Sequence, residues 1–380
     1  MRSGWRFVHR WVGLLAGLLL ALMGLSGTAL VWQAELDAML NPAWLAPRPA
    51  CAPAATPVQP IARSLALLAE HAPSRRAAIV VAPQLPGAAY QVWEARQAAT
   101  GWRREHFVDP SCGLYLGSRD RGALRPDAAH LIPALYALHL DLLAGETGHT
   151  LVGIAGMVLL GLACSGLLLA WPRKSSRAAW RRVLSIKWQS APARRWFDLH
   201  RALGLWLAPL LLLLSFSGSA MVFNQAFKNA IATWLPMQQL PKHTAFADLP
   251  TRQKQGLDSL AGLAEAQFER AQWTRLTLPK GECGFVEVRL LQAGEPRADT
   301  GATRLHLGLD GAVLGKLDPL NAPAGNLLLD WIFPLHSGEA LGIAARLLWT
   351  LFGFVPAALL LSGAWLWWRR RRVGMQSDRS

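Results

Sequence analysis

The chain has 380 residues, 52% of them apolar and only 17% charged, with 18 Trp against 3 Tyr. That composition excludes a disordered chain and sets the protein apart from an ordinary soluble globule. Its formal net charge of +15 would point to nucleic acid on a soluble surface, so the placement of the charges decides what it means.

The N-terminal residues 1–32 carry Arg2, Arg6, His9, Arg10 and Gly13 and run apolar from about Trp11 to Trp32. A helix of roughly 20 apolar residues crosses a hydrocarbon core. The run is longer than the roughly 7–15 residues of a signal-peptide core, and no A-x-A site follows it, so it is expected to remain as an anchor. Residues 33–138 form a first outer segment. In it a helix is predicted over Pro60–His71, then strands around Ala77–Val81, Tyr90–Ala95 and His106–Leu116. Residues 139–171 hold His139, His149 and a second span from Thr150 to Trp171.

A basic loop, residues 172–202, ends in His200 and Arg201, and a third span runs from Leu203 to Phe223 with Gly204 near its start. Residues 224–335 form a second outer segment, with a helix predicted over Gln253–Arg270 and strands around Trp273–Leu278, Phe285–Leu291 and Arg304–Leu314. The period-two alternation Phe285-Val286-Glu287-Val288-Arg289-Leu290 and turns at Asp109-Pro110 and Asp310-Gly311 support strand pairs. Each outer segment is a small α+β module, short of core by itself, and is expected to pack on the other or on the membrane surface. Residues 336–368 carry His336 and a fourth span from Leu347 to Trp368, and residues 369–380 are a basic tail.

Residues 1–10, 172–202 and 369–380 contain 17 of the 39 Lys and Arg but only two acids, Asp198 and Asp378, so the whole net +15 lies there. This is the positive-inside pattern. It assigns both termini and the 172–202 loop to the cytoplasm, leaves the two modules outside, and replaces nucleic acid by membrane lipid as the partner of the basic strips.

The spans repeat. His9-Arg10-Trp11-Val12-Gly13 matches His200-Arg201-Ala202-Leu203-Gly204, and Ser26-Gly27 matches Ser217-Gly218. Likewise Leu138-His139 matches Leu335-His336, Gly145 matches Gly342, Gly156 matches Gly353, and Ser165-Gly166 matches Ser362-Gly363. Two copies that enter the membrane in the same direction are related by a pseudo-two-fold axis along its normal, which sets matched residues facing each other at equal depth.

Four of the ten His fall at these duplicated positions. An imidazole near a span is costly without a partner, and two neutral imidazoles from facing helices are the axial set of a b-type haem. His9 and His200 form one candidate pair. Gly13 and Gly204, four residues on, lie on the same helical face and leave room for a flat macrocycle, and Arg10 and Arg201 stand where propionates would meet them. His139 and His336 form a second candidate pair. His149 aligns with Arg346 and breaks the symmetry, so it either replaces one member of that pair or faces substrate. His71, His106, His130, His243 and His306 have no mate in register and read as ordinary satisfied histidines. No C-x-x-C-H motif is present, which excludes a covalently attached haem. Of the Cys, Cys51, Cys112 and Cys283 lie outside and allow one disulfide at most, and Cys164 sits in a span.

The His-Arg-x-x-Gly opening of two spans, Leu-His before the other two, Ser-Gly in all four, and a helix-plus-strands module in each outer segment together resemble the PepSY-associated transmembrane family. Within it the layout is similar to inner-membrane ferri-siderophore reductases of the FoxB type. The resemblance implies an α-helical membrane protein of four transmembrane helices, a duplicated two-helix unit carrying two small periplasmic α+β PepSY-like modules. It implies two non-covalent bis-His b haems, on iron held by His9, His200, His139 and His336, with His149 the alternative. Electrons would come from the quinol pool or a cytoplasmic reductase and reduce an Fe(III) siderophore, of hydroxamate type, on the periplasmic side. A siderophore permease and a non-catalytic envelope regulator are the competing readings. The spans lack the charged or unwound interior that a polar cargo needs, and the cytoplasmic segments carry no G-x-G-x-x-G nucleotide site.

Overall fold

A computed structural model of the chain describes residues 2–49, 51, 59–97, 101–240, 255–279 and 284–377. In chain order the elements begin with α1 (Arg2–Leu30), α2 (Gln33–Leu40), α3 (Pro42–Leu45), α4 (Pro60–His71), β1 (Ala77–Val81), β2 (Tyr90–Glu94), β3 (Arg103–Asp109) and β4 (Leu114–Arg121). Then come α5 (Ala128–Asp141), α6 (Gly145–Ala170), α7 (Arg177–Leu184), α8 (Pro192–Trp206), α9 (Ala208–Val222) and α10 (Asn224–Ala232). The second repeat closes with α11 (Leu257–Glu265), β5 (Gln272–Thr277), β6 (Phe285–Leu291), β7 (Thr303–Gly308), β8 (Val313–Leu317), α12 (Ala324–Ser337), α13 (Gly342–Phe352) and α14 (Val355–Ser377). They form two compact units: a helical one from residues up to Val31, Leu138–Gln225 and Leu335 onward, and a sheet unit from Trp32–Ala137 and Ala226–Pro334.

In the helical unit three stretches, Ser3–Leu30, Gly145–Ala170 and Glu339–Arg372, are long and apolar enough to span a membrane. The expected third span, Leu203–Phe223, is not one straight helix. α8 and α9 meet at a 60° bend, so the number of spans is four only if that bent pair is counted as one. Pro209 at the start of α9 explains the break, because it lacks the N–H that would continue the ladder and its ring crowds the preceding turn.

Helices of opposite repeats cross through small residues, the packing expected where lipid offers no hydrophobic drive. The α1 crossing places Gly24 against the backbone at Gly353, and the α6 crossing places Gly156 against Ser215 and Ser219. These contacts obey the duplication, since Gly24 matches Ser215 and Gly353 matches Gly156. Thr28 donates to the carbonyl of Thr350 at 3.1 Å, and its counterpart Ser219 donates to that of Gly153 at 3.2 Å.

In the sheet unit the two modules are joined rather than separate. Eight antiparallel strands run in the order β4-β3-β2-β1-β5-β6-β7-β8, with the repeats meeting edge to edge at β1 and β5. The modules also share a core, in which Ile61 and Val80 of the first pack with Leu260, Leu276, Val288 and Leu305 of the second. Sharing answers the shortage of core in each half and removes two strand edges. Asp258 of α11 further accepts bonds from Ile61 N and Ala62 N, both at 2.9 Å, satisfying donors that the first turn of α4 would leave open. The expected strands His106–Leu116 and Arg304–Leu314 each resolve into two, because the turns at Asp109-Pro110 and Asp310-Gly311 fall inside them. Part of the helix expected at Gln253–Arg270 lies outside the described residues; what is described is helical over Leu257–Glu265.

The face of the sheet away from α4 and α11 is charged and partly buried. Arg119 forks onto Asp37 at 2.7 Å and onto Glu105 at 2.9 Å, and Arg121 reaches Glu105 at 3.0 Å. Burial alone would raise the Glu105 carboxyl, but Arg121 and Arg119 hold it below its usual value. Cys51 and Cys112 form a disulfide with Cα atoms 5.5 Å apart, and Cys283 lies outside the described residues.

Candidate functional site

The helical unit brings the four duplicated histidines together as two pairs. His9 of α1 faces His200 of α8 with ring centroids 6.4 Å apart and planes at 89°. His139 of α5 faces His336 of α12, also with centroids 6.4 Å apart, and planes at 56°.

Every one of the four imidazoles is held in the same way by a Ser-Gly step of its own repeat. His9 Nδ1 lies 2.8 Å from Ser165 Oγ and His200 Nδ1 lies 2.8 Å from Ser362 Oγ. His139 and His336 stand at 2.9 Å from Ser26 Oγ and Ser217 Oγ. Each hydroxyl has one hydrogen, and it is used on the serine's own helix. Ser26, Ser217 and Ser362 donate to the carbonyls of Leu22, Leu213 and Ala358, all at 2.7 Å, and Ser165 donates to that of Leu162 at 3.0 Å. The serine therefore accepts from the imidazole, which puts the proton on Nδ1 and leaves the Nε2 lone pair as the ligand atom.

The glycine after each serine lies under the ring. A Cβ on Gly27 or Gly218 would stand 3.2 or 3.1 Å from Cε1 of His139 or His336, and one on Gly166 or Gly363 would stand 3.4 Å from Cε1 of His9 or His200. At Gly27 and Gly218 an added methyl would crowd the imidazole by a few tenths of an ångström, whereas at Gly166 and Gly363 it would make an ordinary contact. Sequence reasoning had noted Ser-Gly in all four spans without giving it this task; the repeat itself was the signal.

The glycines assigned to make space behave differently. Gly204 faces open space within 4 Å, whereas Gly13 faces Leu162 at 3.8 Å. Arg10 lies over the rings of Trp11 at 5.5 Å and Phe7 at 5.8 Å. Arg201 has partners within the protein. It pairs with buried Asp198 at 2.8 Å and donates to the carbonyls of Val183 and Arg182, both at 2.9 Å, tying the basic loop to α8. His149 does not join a pair: its Nδ1 contacts the Leu140 carbonyl at 3.1 Å. Its counterpart Arg346 likewise binds a backbone carbonyl, that of Val31, at 2.7 Å.

The other histidines have polar partners. His106 sits between Glu94 at 2.9 Å and Tyr115 at 3.0 Å, His130 contacts Asp127 at 2.6 Å, His306 contacts Glu287 at 3.2 Å and His71 contacts the Leu67 carbonyl at 3.0 Å. His243 lies outside the described residues. Among the described residues no cluster of three or more His, Cys, Asp or Glu is arranged to hold a metal ion. Two imidazoles per pair would suit only a metal that brings its remaining ligands with it, as in a macrocycle. His9 with His200, and His139 with His336, would hold such a group between rings whose centroids are 6.4 Å apart at both pairs.

The family model for the PepSY-associated TM region matches residues 6–370, nearly the whole chain. The chain belongs to the PepSY-associated TM family. The chain is similar to an uncharacterised protein of Pseudomonas aeruginosa, 29% identical over 258 residues, or 62% of this chain and 63% of that one. The chain thus spans somewhat less than two thirds of that relative's length. The match to the PepSY-associated TM region covers all four histidine positions and all four Ser-Gly steps.

Proposed function

We propose that this protein is an inner-membrane electron carrier that binds two b-type haems, one at His9 and His200 and one at His139 and His336, and reduces Fe(III) siderophores on the periplasmic side. The observation that carries the reading is the repeated His pair, 6.4 Å between centroids at both sites, with every Nδ1 fixed by a serine. When bound, haem b supplies a one-electron Fe(III)/Fe(II) couple at each pair.

The chain's own residues prepare that chemistry. Ser165, Ser362, Ser26 and Ser217 hold the tautomer and the ring angle, which is how an outer shell tunes a metal site. The apolar helices around them exclude water, and the pairs stand near the two ends of α1. His9 and Ser26 are seventeen residues apart, about 26 Å along a helix, against a hydrocarbon core of about 30 Å. The Lys and Arg of residues 1–10, 172–202 and 369–380 favour a cytoplasmic position for His9 and His200. His139 and His336 then stand toward the substrate. One electron, taken from a membrane quinol or a cytoplasmic reductase, converts one siderophore Fe(III) to Fe(II). Hard oxygen donors such as hydroxamates hold Fe(II) less tightly, so the metal is released.

The test uses haem-loaded protein in vesicles with reductant enclosed and a hydroxamate-bound Fe(III) plus an Fe(II)-specific chelator outside. Ferrous chelate should form with the wild type and not with His336→Ala. Loaded wild-type protein that forms no ferrous chelate would rule out the reductase.

A further inference from the structure

A row of three like charges lies across three strands of the sheet unit. Arg275 of β5 is directly opposite Arg289 of β6, which is directly opposite Arg304 of β7. Residues opposed in this way share a face with Cβ atoms about 5 Å apart, and like charges there are destabilising. Their neighbours Leu276, Val288 and Leu305 are fully buried in the core beneath α11, so the three arginines project from the opposite face.

Among the described residues none of these guanidiniums has an ion pair, although Glu287 lies near Arg289 and Arg304. Nε of all three is buried without a hydrogen-bond partner, and Arg289 as a whole is only 8% exposed. The acids nearby offset the row only in part, since Arg289 remains lowered by burial and by its arginine neighbours. Glu287 takes a contact from His306 at 3.2 Å, Asp299 is held by Arg297 at 2.7 Å, and burial raises the Asp330 carboxyl above its usual value. Burial, then Arg304 and Arg275, lower the Arg289 guanidinium to about 9. A buried charge without a partner is among the costliest features a fold can carry. Arg275 and Arg304, on either side of Arg289, are half-buried rather than fully buried.

Guanidinium forks select carboxylate or phosphate oxygens, and spacing separates those two. Adjacent strands lie about 4.8 Å apart, so a row on three strands is about 10 Å long, too long for one tetrahedral oxyanion and suited to carboxylates several bonds apart. We infer that Arg275, Arg289 and Arg304 form a binding site for a polycarboxylate, with each outer carboxylate bridging two neighbouring guanidiniums. This site stands independently of haem binding.

The experiment is calorimetric titration of the full chain in detergent at low ionic strength with citrate as probe, alongside acetate and inorganic phosphate. Citrate should bind saturably, more tightly than acetate or phosphate, and roughly tenfold or more weakly to Arg289→Gln and to Arg304→Gln. Without citrate, Arg289→Gln should melt no lower than the wild type, because repulsion is relieved; with citrate only the wild type should gain stability. A structural role alone would instead lower the melting point of the variant and leave citrate without effect. If Arg289→Gln does not fold, Arg275→Gln at the half-buried flank serves the same comparison. No citrate binding by the wild type, equal binding by the variants, or acetate or phosphate binding as tightly as citrate would overturn the assignment.

Discussion

The hydroxyl of Ser165 lies 2.8 Å from Nδ1 of His9, a residue 156 positions earlier in the chain. Because that hydroxyl spends its hydrogen on the Leu162 carbonyl, it can only accept from the imidazole. The bond fixes which nitrogen is free to ligate. Ser165→Ala should therefore weaken haem retention at the His9 pair by roughly 10–100-fold, the usual cost of losing such an outer partner, and Ser165→Thr should restore part of it. Haem released per chain on dilution measures this. Unchanged retention in the alanine variant would show that the serine does not orient His9.

The glycines give a graded expectation. At Gly27 and Gly218 an added methyl would come within 3.2 and 3.1 Å of its histidine, against 3.4 Å at Gly166 and Gly363. Alanine at either of the first two positions should displace the imidazole of His139 or His336 and reduce haem content toward one per chain. Alanine at Gly166 or Gly363 should leave content nearer two. Pigment stoichiometry distinguishes the outcomes, and equal losses at all four positions would contradict the geometry.

These pairs were legible in the sequence because a duplication supplies symmetry, and symmetry converts matched positions into facing ones. His9 with His200 follows from that step alone, whereas His139 with His336 stood beside His149 as an alternative, which the structure places on the Leu140 carbonyl instead. The ion pair of Arg201 with Asp198, buried one turn earlier, was not legible, because a charge beside a candidate ligand says nothing about a nearby acid. The bend between α8 and α9 was hidden by a continuous apolar run, although Pro209 marks it. The strand Phe285–Leu291 was readable from alternation. The pairing of β1 with β5 was not, since a strand edge carries no sequence label for its partner.

Arg119 is the anchor of the first half of the sheet, with Asp37 on one side and Glu105 on the other. Arg119→Met leaves both carboxylates short of charge in a buried setting. The expected cost is about 3–5 kcal/mol, seen as faster hydrogen exchange of β3 and β4 amides in the full chain. A loss below about 1 kcal/mol would mean that Arg121 alone satisfies Glu105.

Glu287 gives the sheet unit a pH-dependent contribution. Its contact with His306, and then the nearby Arg304 and Arg289, outweigh burial and lower its carboxyl to about 2. A carboxyl depressed in the folded state adds stability above its unfolded value, near 4.5, and that stability is lost as pH falls toward 2. Unfolding of the wild type and Glu287→Gln compared across pH should show a gap that is full above about pH 4.5 and closes toward about pH 2. A gap that stays constant through this window would place the effect outside the ionisation of Glu287.

The central claim is that two facing imidazole pairs each hold a haem, and the most direct measurement is the reduced-minus-oxidised spectrum of the purified full chain together with haem content per chain. The account expects a low-spin b-type spectrum with two haems per chain, one of them lost in His200→Ala, the other lost in His336→Ala, and both kept in His149→Ala. A wild-type protein purified from haem-replete cells without haem, or a spectrum in which both haems survive His200→Ala and His336→Ala, would contradict it.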